Sequence, residues 1–570
     1  MNMIPYVNEP ALYPWKPEMT VGLATVVDPK DRDIFFADTT ASVIATPGTP
    51  VASIFPVKQR GPELFTGQNM LVENGAGGAV FEVDQASRKV TITTAGSNSG
   101  YPRINFNIGF VVGKYYEVKG RLLKTGDQVG AGNQVRLNSA GSANNIPVDN
   151  VTGVFSGIQV AASNLLNIIT NGSITGSITV GELSVKEVIG PFYIQPVVAN
   201  RSMLARLPAS GKRNILTHTE NMLNSATWGS NNNATPFEKD GGIVGFVETT
   251  ATAGHFVTQP HDYPGTRTLR CKVRYLRNGQ VRHVRFESRV GAVFSAVFVD
   301  LVTGAHSNNM SSAIQTNVTA LEDGWFRITI TYTGDAPSGG RNFAFFSATV
   351  PNGSGVNYTG DGVSGLEFKE IQQEAGTIAT PYQKVGPAFD VTEAGVPDVW
   401  SLYGEGLTSF ISTVDNLTFN ASGASFAVAM QSEVKTDGPS GADRVFGCNR
   451  DGSSFHNFLL ALRPNNASAS HSVSWRTAEG LHNASLQTVL NKTKPFAVIG
   501  TVSPDGVRAY LDNTLVATSP GAPAGQITSP LTIGSTLQPW NFYGGMFFTR
   551  ALEAPERSAV NKWLKERLPA

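Results

Sequence analysis

Apolar and aromatic residues recur at every second position through much of this 570-residue chain. Val90-Thr-Ile-Thr-Thr94, Tyr115-Tyr-Glu-Val-Lys119, Thr268-Leu-Arg-Cys-Lys-Val-Arg-Tyr275, Trp325-Phe-Arg-Ile-Thr-Ile-Thr-Tyr332 and Val507-Arg-Ala-Tyr-Leu511 show it most clearly. Period two places one side-chain set on a buried face and the other in water, which predicts antiparallel strands. Turn-forming clusters interrupt the runs at Asn98-Ser-Gly100, Asp240-Gly-Gly242, Asp505-Gly506 and Asp512-Asn513. Short strands punctuated in this way predict β-sandwiches or jelly rolls. One helix is expected, at the C-terminus. Pro555 suits a first turn, where its missing N–H costs nothing, and Ala559, Val560, Trp563, Leu564 and Leu568 follow at helical spacing.

An internal repeat suggests how the strands are grouped. Leu183-Ser-Val-Lys-Glu-Val188 matches Leu366-Glu-Phe-Lys-Glu-Ile371, with Gly181 and Gly365 just upstream, and Asn69-Met-Leu71 echoes Asn221-Met-Leu223. The expected fold class is all-β and multidomain: tandem jelly-roll or β-sandwich modules, an extended N-terminal arm and a short C-terminal helix. The divisions are an arm over 1–65, a sandwich module over 66–190, a linker over 191–213, a jelly roll over 214–387 and a further sandwich over 391–570. The arm rests on its prolines, from Pro5 and Pro10 through Pro62, which suit a segment lying along another surface better than a core of its own.

Composition narrows the function. Lys plus Arg number 44, as do Asp plus Glu, and charged residues make up 15% of the chain, below the usual share of roughly 25%. A neutral, apolar-rich chain argues against general nucleic-acid binding and against disorder. Cys271 and Cys448 lie in segments assigned to different modules and read as free thiols, pointing to folding in a reducing compartment. The N-terminus shows no basic segment followed by an apolar one, and no run of 18 uncharged apolar residues occurs, so neither export by a signal peptide nor membrane insertion is expected.

Ordered motifs add a resemblance. Asn214-Ile-Leu-Thr-His-Thr-Glu-Asn221 with Trp228 is followed by Phe298-Val-Asp-Leu-Val-Thr-Gly304, Asp323-Gly-Trp-Phe-Arg327, Tyr358-Thr-Gly-Asp-Gly362, Gln373-Glu-Ala-Gly376 and Ala379-Thr-Pro-Tyr382. This series resembles a carbohydrate-binding-like jelly roll found in virion proteins of tailed bacteriophages. Asp33-Ile-Phe-Phe36 with Thr46-Pro-Gly-Thr-Pro-Val51 resembles the opening segment of such proteins. Val391-Thr-Glu-Ala-Gly-Val-Pro-Asp-Val-Trp400 resembles the lead into a concanavalin-like (laminin-G-like) sandwich, whose strands Phe496–Gly500, Val507–Leu511 and Leu531–Gly534 resemble. The resemblance spans roughly 400 residues and implies a virion structural protein assembled in the host cytoplasm. It implies other virion proteins as partners through residues 1–65, assembly as a homo-oligomer, and contact with a host-surface glycan.

Retaining glycosidases commonly hold two carboxylates about 5–5.5 Å apart. The Glu-x-Asp-x-Glu triplet of laminarinase-type glucanases, which share the concanavalin-like fold, is absent from 391–570, so the protein is expected not to be an enzyme. No His-x-x-x-His or Cys-x-x-Cys pair supports a metal site, and no cofactor is expected. Structural calcium is left open, since scattered carboxylates and carbonyls can hold it without a local signature. Gly75-Ala-Gly-Gly78 and Gly339-Gly340 precede no strand-to-helix turn and read as loops rather than phosphate cradles. Trp475, Trp540, Asn541 and Tyr543 offer aromatic faces and an amide suited to a sugar, or else they are sandwich core. Arg270, Lys272, Arg274, Arg282 and Arg285 belong to a basic cluster with only Glu287 nearby in sequence; they form either the wet face of a sheet or a contact for an acidic partner. The functional expectation is a tail-fibre or other surface adhesin that binds glycans without cleaving them. The alternatives are a capsid decoration or head-fibre protein, and a polysaccharide depolymerase.

Overall fold

The computed structural model describes residues 23–569 apart from internal segments, of which the longer are 96–102, 127–133, 137–144, 335–340, 433–442, 450–456, 464–469 and 487–493. Residues 1–22, with four of the prolines assigned to the arm, lie outside the described residues, as do the turn Asn98–Gly100 and both glycine clusters. The chain is all-β, built from antiparallel sheets, with one α-helix among the described residues, Ala554–Lys565. It forms two compact units. One draws on Met1–Leu204 and Trp400–Leu568, the other on Ala205–Val399.

Among the described residues the first unit holds two large cores. One lies between a sheet led by the long strands Tyr115–Lys124 and Thr175–Val188 and a five-stranded sheet containing Arg103–Asn107 and Leu165–Ile169. Ile104, Phe106, Val118, Leu166, Ile168 and Val185 fill it. The other is the C-terminal sandwich, and here the expected division of the chain changes. Leu23–Val27 pairs with Trp540–Phe548, Phe35–Phe36 pairs with Ser53–Ile54, and Ser53–Ile54 pairs with Tyr193–Ile194, which continues to Phe410–Thr413. Val27, Phe35, Val51, Ile54, Tyr193 and Leu204 are all buried in the same core as Phe426, Trp475 and Phe547. Parts of the segments read as arm and linker are therefore strands of this sandwich, whereas Arg60–Glu63 of the arm pairs with Thr175–Val188 beside the other core. Pieces of two to five residues are too short to show a period, and they satisfy their backbone groups only by extending existing sheets.

The helix follows its sequence signals. Pro555 lies in the first turn, Glu553 and Glu556 form a reciprocal capping box, and Val560, Trp563 and Leu564 are buried. Its end is tied back to the N-terminal strands. Arg567 stacks on Trp563, with its guanidinium 3.5 Å from the ring centroid, and pairs with Asp28, while Lys30 Nζ donates to the Glu566 carbonyl at 2.8 Å.

The second unit is a jelly roll of two six-stranded sheets. Its strands, in chain order, are β1 Ala234–Lys239, β2 Ile243–Glu248, β3 Thr252–Pro260, β4 Gly265–Tyr275, β5 His283–Val290, β6 Val293–Val299, β7 His306–Asn308, β8 Ala313–Ala320, β9 Phe326–Gly334, β10 Arg341–Ala348, β11 Asn357–Thr359 and β12 Gly365–Ala375. One sheet runs β1-β2-β12-β4-β9-β8, the other β7-β6-β5-β10-β3-β11. Leu269, Cys271, Val273, Val284, Phe286, Ile328, Ile330, Phe345 and Phe368 meet between them.

The motif residues of this unit act as fasteners. The buried amide of Asn214 donates to the Ile371 and Gln383 carbonyls and accepts from the Leu216 and Gln373 backbone N–H groups, joining the start of the unit to its end. Asp300 accepts from Val302 N–H and from the Thr303 hydroxyl, and Asp361 accepts in the same manner from Val363 and Ser364, so both close Asx turns. The internal repeat appears as a shared irregularity. Thr175–Val188 and β12 each carry a register shift against their long partner strand, with Glu182 at φ 55° and Glu370 at φ 52°.

Candidate functional site

The aromatic residues expected to meet a sugar are core residues. Trp475, Trp540 and Tyr543 are 0%, 1% and 6% exposed. Trp540 packs so closely on Gly404 that a Cβ there would lie 2.4 Å from the indole. Trp475 packs among Phe419 and Phe458 and donates its indole N–H to the Ala524 carbonyl at 3.3 Å. Tyr543 donates its hydroxyl to Gln431 at 3.1 Å, and burial pushes its phenol well above the ordinary value. Asn541, half-buried, faces Tyr403 and Gln431 across the sheet. Strand Trp540–Phe548 has the sandwich core on one face, and Gly544 lies against Trp563 of the helix on the other. Both faces are covered, so this stretch offers no stacking surface.

The basic cluster divides three ways. Arg282 lies inside the jelly roll and makes a two-pronged pair with Glu248, Nε to Oε2 at 2.9 Å and Nη2 to Oε1 at 2.5 Å. Tyr358 donates its hydroxyl to the same carboxylate at 2.5 Å, and the guanidinium lies 5.1 Å from the Tyr358 ring. A buried pair of this kind needs all of its hydrogen bonds, and this one has them. Arg285 stands on the outer face of the other sheet, paired with Glu287 and stacked against Phe298 and Phe346 at 5.3 and 5.1 Å. Arg282 is thus corrected from partner contact to internal strut, and Arg285 is committed to its own strand and neighbours.

Arg270, Lys272 and Arg274 remain. They alternate with the core residues Leu269, Cys271 and Val273 and so stand together on the outer face of sheet β1-β2-β12-β4-β9-β8. Their carboxylate partners come from β12. Lys272 pairs with Glu370, Arg270 lies 3.9 Å from the same carboxylate, and Arg274 Nε meets Glu367 at 2.5 Å. Lys239 of β1 also reaches Glu367 at 2.5 Å. Burial pushes the Glu367 carboxyl up, but hydrogen bonds from Lys239 and Arg274 outweigh it and hold it below the ordinary value. The linear sequence concealed these partners, because Glu367 lies 93 positions from Arg274.

Pairing leaves the face cationic. Lys369 and Arg327 stand across from Lys272 on β12 and β9, with no carboxylate partner for either among the described residues. Trp325 lies under this group, 4.5 Å from the Arg274 guanidinium and 5.3 Å from Lys369 Nζ. Beyond it run hydroxyl pairs, Thr266 with Thr333 and Thr268 with Thr331, each at 3.1 Å. A cleft of about 660 Å3, lined by Lys212, Arg213, Ile215, Glu374, Ile378 and Thr380 among others, adjoins the face; Arg270 donates to the Thr380 carbonyl on its wall. The arrangement presents fixed cations and the half-buried Thr266–Thr333 hydroxyl pair beside a shielded indole, which suits a polymer bearing carboxylates or sulfates. Lys369, Arg327 and the β12 carboxylates were not singled out from the sequence, although Lys369 follows the alternation of Leu366-Glu-Phe-Lys369. Among the described residues, no group of three or more His, Cys, Asp or Glu side chains could hold a metal ion, and no helix is long and apolar enough to cross a membrane.

No protein-family model matches this chain, and no curated protein matches it. Solved structures do align with it. The binding domain of botulinum neurotoxin DC in complex with SialylT aligns at 12% identity and TM-score 0.24 over 32% of this chain, which spans 45% of that one. The N-terminal CBM22-1–CBM22-2 tandem domain of Paenibacillus barcinonensis Xyn10C aligns at 12% and 0.20, covering 56% of this chain and 99% of that one. A sialidase of Trypanosoma rangeli, in complex with the inhibitor DANA, aligns at 9% and 0.23 over 94% of this chain and 98% of its own. Scores this low carry no argument about activity. The expectation of a non-enzyme is withdrawn: sialidases are among the chains that align, and the premise of that expectation does not reach them. That expectation rested on the missing Glu-x-Asp-x-Glu triplet, and glycosidases such as sialidases, with a tyrosine nucleophile, lie outside the two-carboxylate rule. The missing triplet therefore excludes one class of glycosidase and not glycosidases as a whole.

Proposed function

We propose that this protein is a surface component of a tailed-bacteriophage particle that holds an anionic glycan on the outer face of its jelly roll. The virion setting rests on the ordered motifs from Asn214 to Tyr382. The observation that carries the ligand class is the cation excess left by Lys369 and Arg327 beside Arg270, Lys272 and Arg274. Exposed ion pairs contribute about 0.2–1 kcal/mol each, so affinity per site is low and many copies on a particle supply avidity. The competing reading, a decoration protein with a mainly structural role, gains from the burial of Trp475, Trp540 and Tyr543, which removes the glycan site expected in the C-terminal sandwich.

Retention on immobilised polyuronic or sulfated polysaccharide tests the proposal, with a neutral polysaccharide as control and reducing ends measured in parallel. Retention on the anionic polymer that falls with salt, and falls further in Lys369→Ala with Arg327→Ala, supports it. Equal retention on neutral polymer, or none on either, removes it. Release of reducing ends would add catalysis to binding.

A further inference from the structure

Among the described residues, one edge strand of the jelly roll carries little of the usual protection. Edge strands avoid pairing with other chains through charges, prolines, short length or bulges. At one end of the first sheet β1 carries Pro236, Glu238 and Lys239, and in the other sheet the edges β7 and β11 are three residues long. The remaining edge, β8, reads Ala-Ile-Gln-Thr-Asn-Val-Thr-Ala, eight residues with no charge and no proline. Among the described residues it pairs with β9 alone, and beyond a shift between Ala313 and Gln315 its register is regular to Ala320. Gln315, Asn317 and Thr319 are exposed, with Thr316 and Val318 half-buried between them.

We propose that β8 pairs antiparallel with β8 of a second copy of this chain. A second copy fits because the strand is neutral and meets itself without like-charge repulsion. Pairing about a two-fold axis through Asn317 keeps the pleat continuous. Asn317 then faces its own equivalent, Gln315 faces Thr319, and Thr316 faces Val318, so residues on the polar face meet residues on the polar face. The two cationic faces come to lie on one side of a continuous sheet. Five strand spacings of about 4.8 Å place the two β4 rows roughly 24 Å apart. The pairing is independent of whether that face binds a glycan. Because one short edge contributes less than the roughly 1,200–2,000 Å2 of a stable interface, the dimer is reversible and forms with rising concentration.

Sedimentation of the full chain over a concentration series tests this. A reversible dimer that Asn317→Lys weakens several-fold, with unchanged thermal unfolding, is the expected result, since that substitution sets two cations opposite each other. Cross-linking gives a second readout. Asn317→Cys lies at the axis within disulfide reach and should oxidise to a covalent dimer, whereas Gln315→Cys, displaced along the strand from its own equivalent, should not. A monomer at every concentration, a dimer indifferent to Asn317→Lys, or equal cross-linking at both positions would overturn the proposal.

Discussion

Deleting residues 1–54 should unfold the C-terminal sandwich, although every residue removed lies far from it in sequence. Val27, Phe35, Val51 and Ile54 are each at most 1% exposed in a core otherwise built mainly from residues beyond 400. At about 1.5–3 kcal/mol per fully buried side chain, their loss removes roughly 6–12 kcal/mol of transfer free energy. That range is comparable with the whole net stability of a domain, about 5–15 kcal/mol. The deletion also bares the edge of Trp540–Phe548 where Met546 and Phe547 now pair with Val26 and Thr25, and it strands Arg567 without Asp28. Scanning calorimetry and hydrogen exchange make the assay. The truncated chain should lose a thermal transition and exchange rapidly across 540–548, while amides of the jelly roll keep their protection. Phe35→Ala alone should cost about 3–5 kcal/mol. A truncated protein with unchanged transitions and a protected 540–548 strand would show that these N-terminal strands do not complete the sandwich.

Other outcomes follow from single sites. Trp540→Ala should cost about 3–5 kcal/mol through the cavity it leaves, and Gly404→Ala should destabilise the same place through a clash with the indole; thermal unfolding measures both. The Glu367 carboxyl is held below its ordinary value in the fold, so its stabilising contribution is present above about pH 4.3 and disappears as pH falls through the lower folded value. Acid unfolding of the wild type should therefore show a steeper loss below pH 4.3 than that of Glu367→Gln. Cys271 is fully buried and its thiol is pushed well above the ordinary value by burial, so a thiol reagent should modify this position only after unfolding, as mass spectrometry of the labelled chain can show.

Alternation made β4 and β9 of the jelly roll readable, because each has a buried face and a more exposed one. Thr268–Tyr275 and Trp325–Tyr332 both fall within observed strands or at their edges. The turn Asp512-Asn513 was readable too, since both residues sit at positive φ, 52° and 63°, where short polar side chains are tolerated. Gln-Pro-Trp-Asn-Phe-Tyr543 misled for the opposite reason. A strand covered on both faces has no alternation, so its aromatics resemble an exposed cluster. The basic cluster misled through distance: Arg274 and Lys272 lie one strand from Glu367 and Glu370 in the sheet but nearly a hundred residues away in the chain. Short N-terminal strands such as Phe35–Phe36 carry no period at all, and only the sheet they join identifies them.

Salt-dependent binding of the jelly-roll face to an acidic polymer is the central claim. Titrating the full chain with a soluble polyuronate at several ionic strengths, for the wild type and for Lys369→Ala with Arg327→Ala, tests it most directly. The predicted result is binding that weakens linearly on a log–log salt plot, with a smaller slope and weaker binding in the double variant at unchanged thermal stability. Binding of equal strength and equal salt slope in both proteins would contradict it.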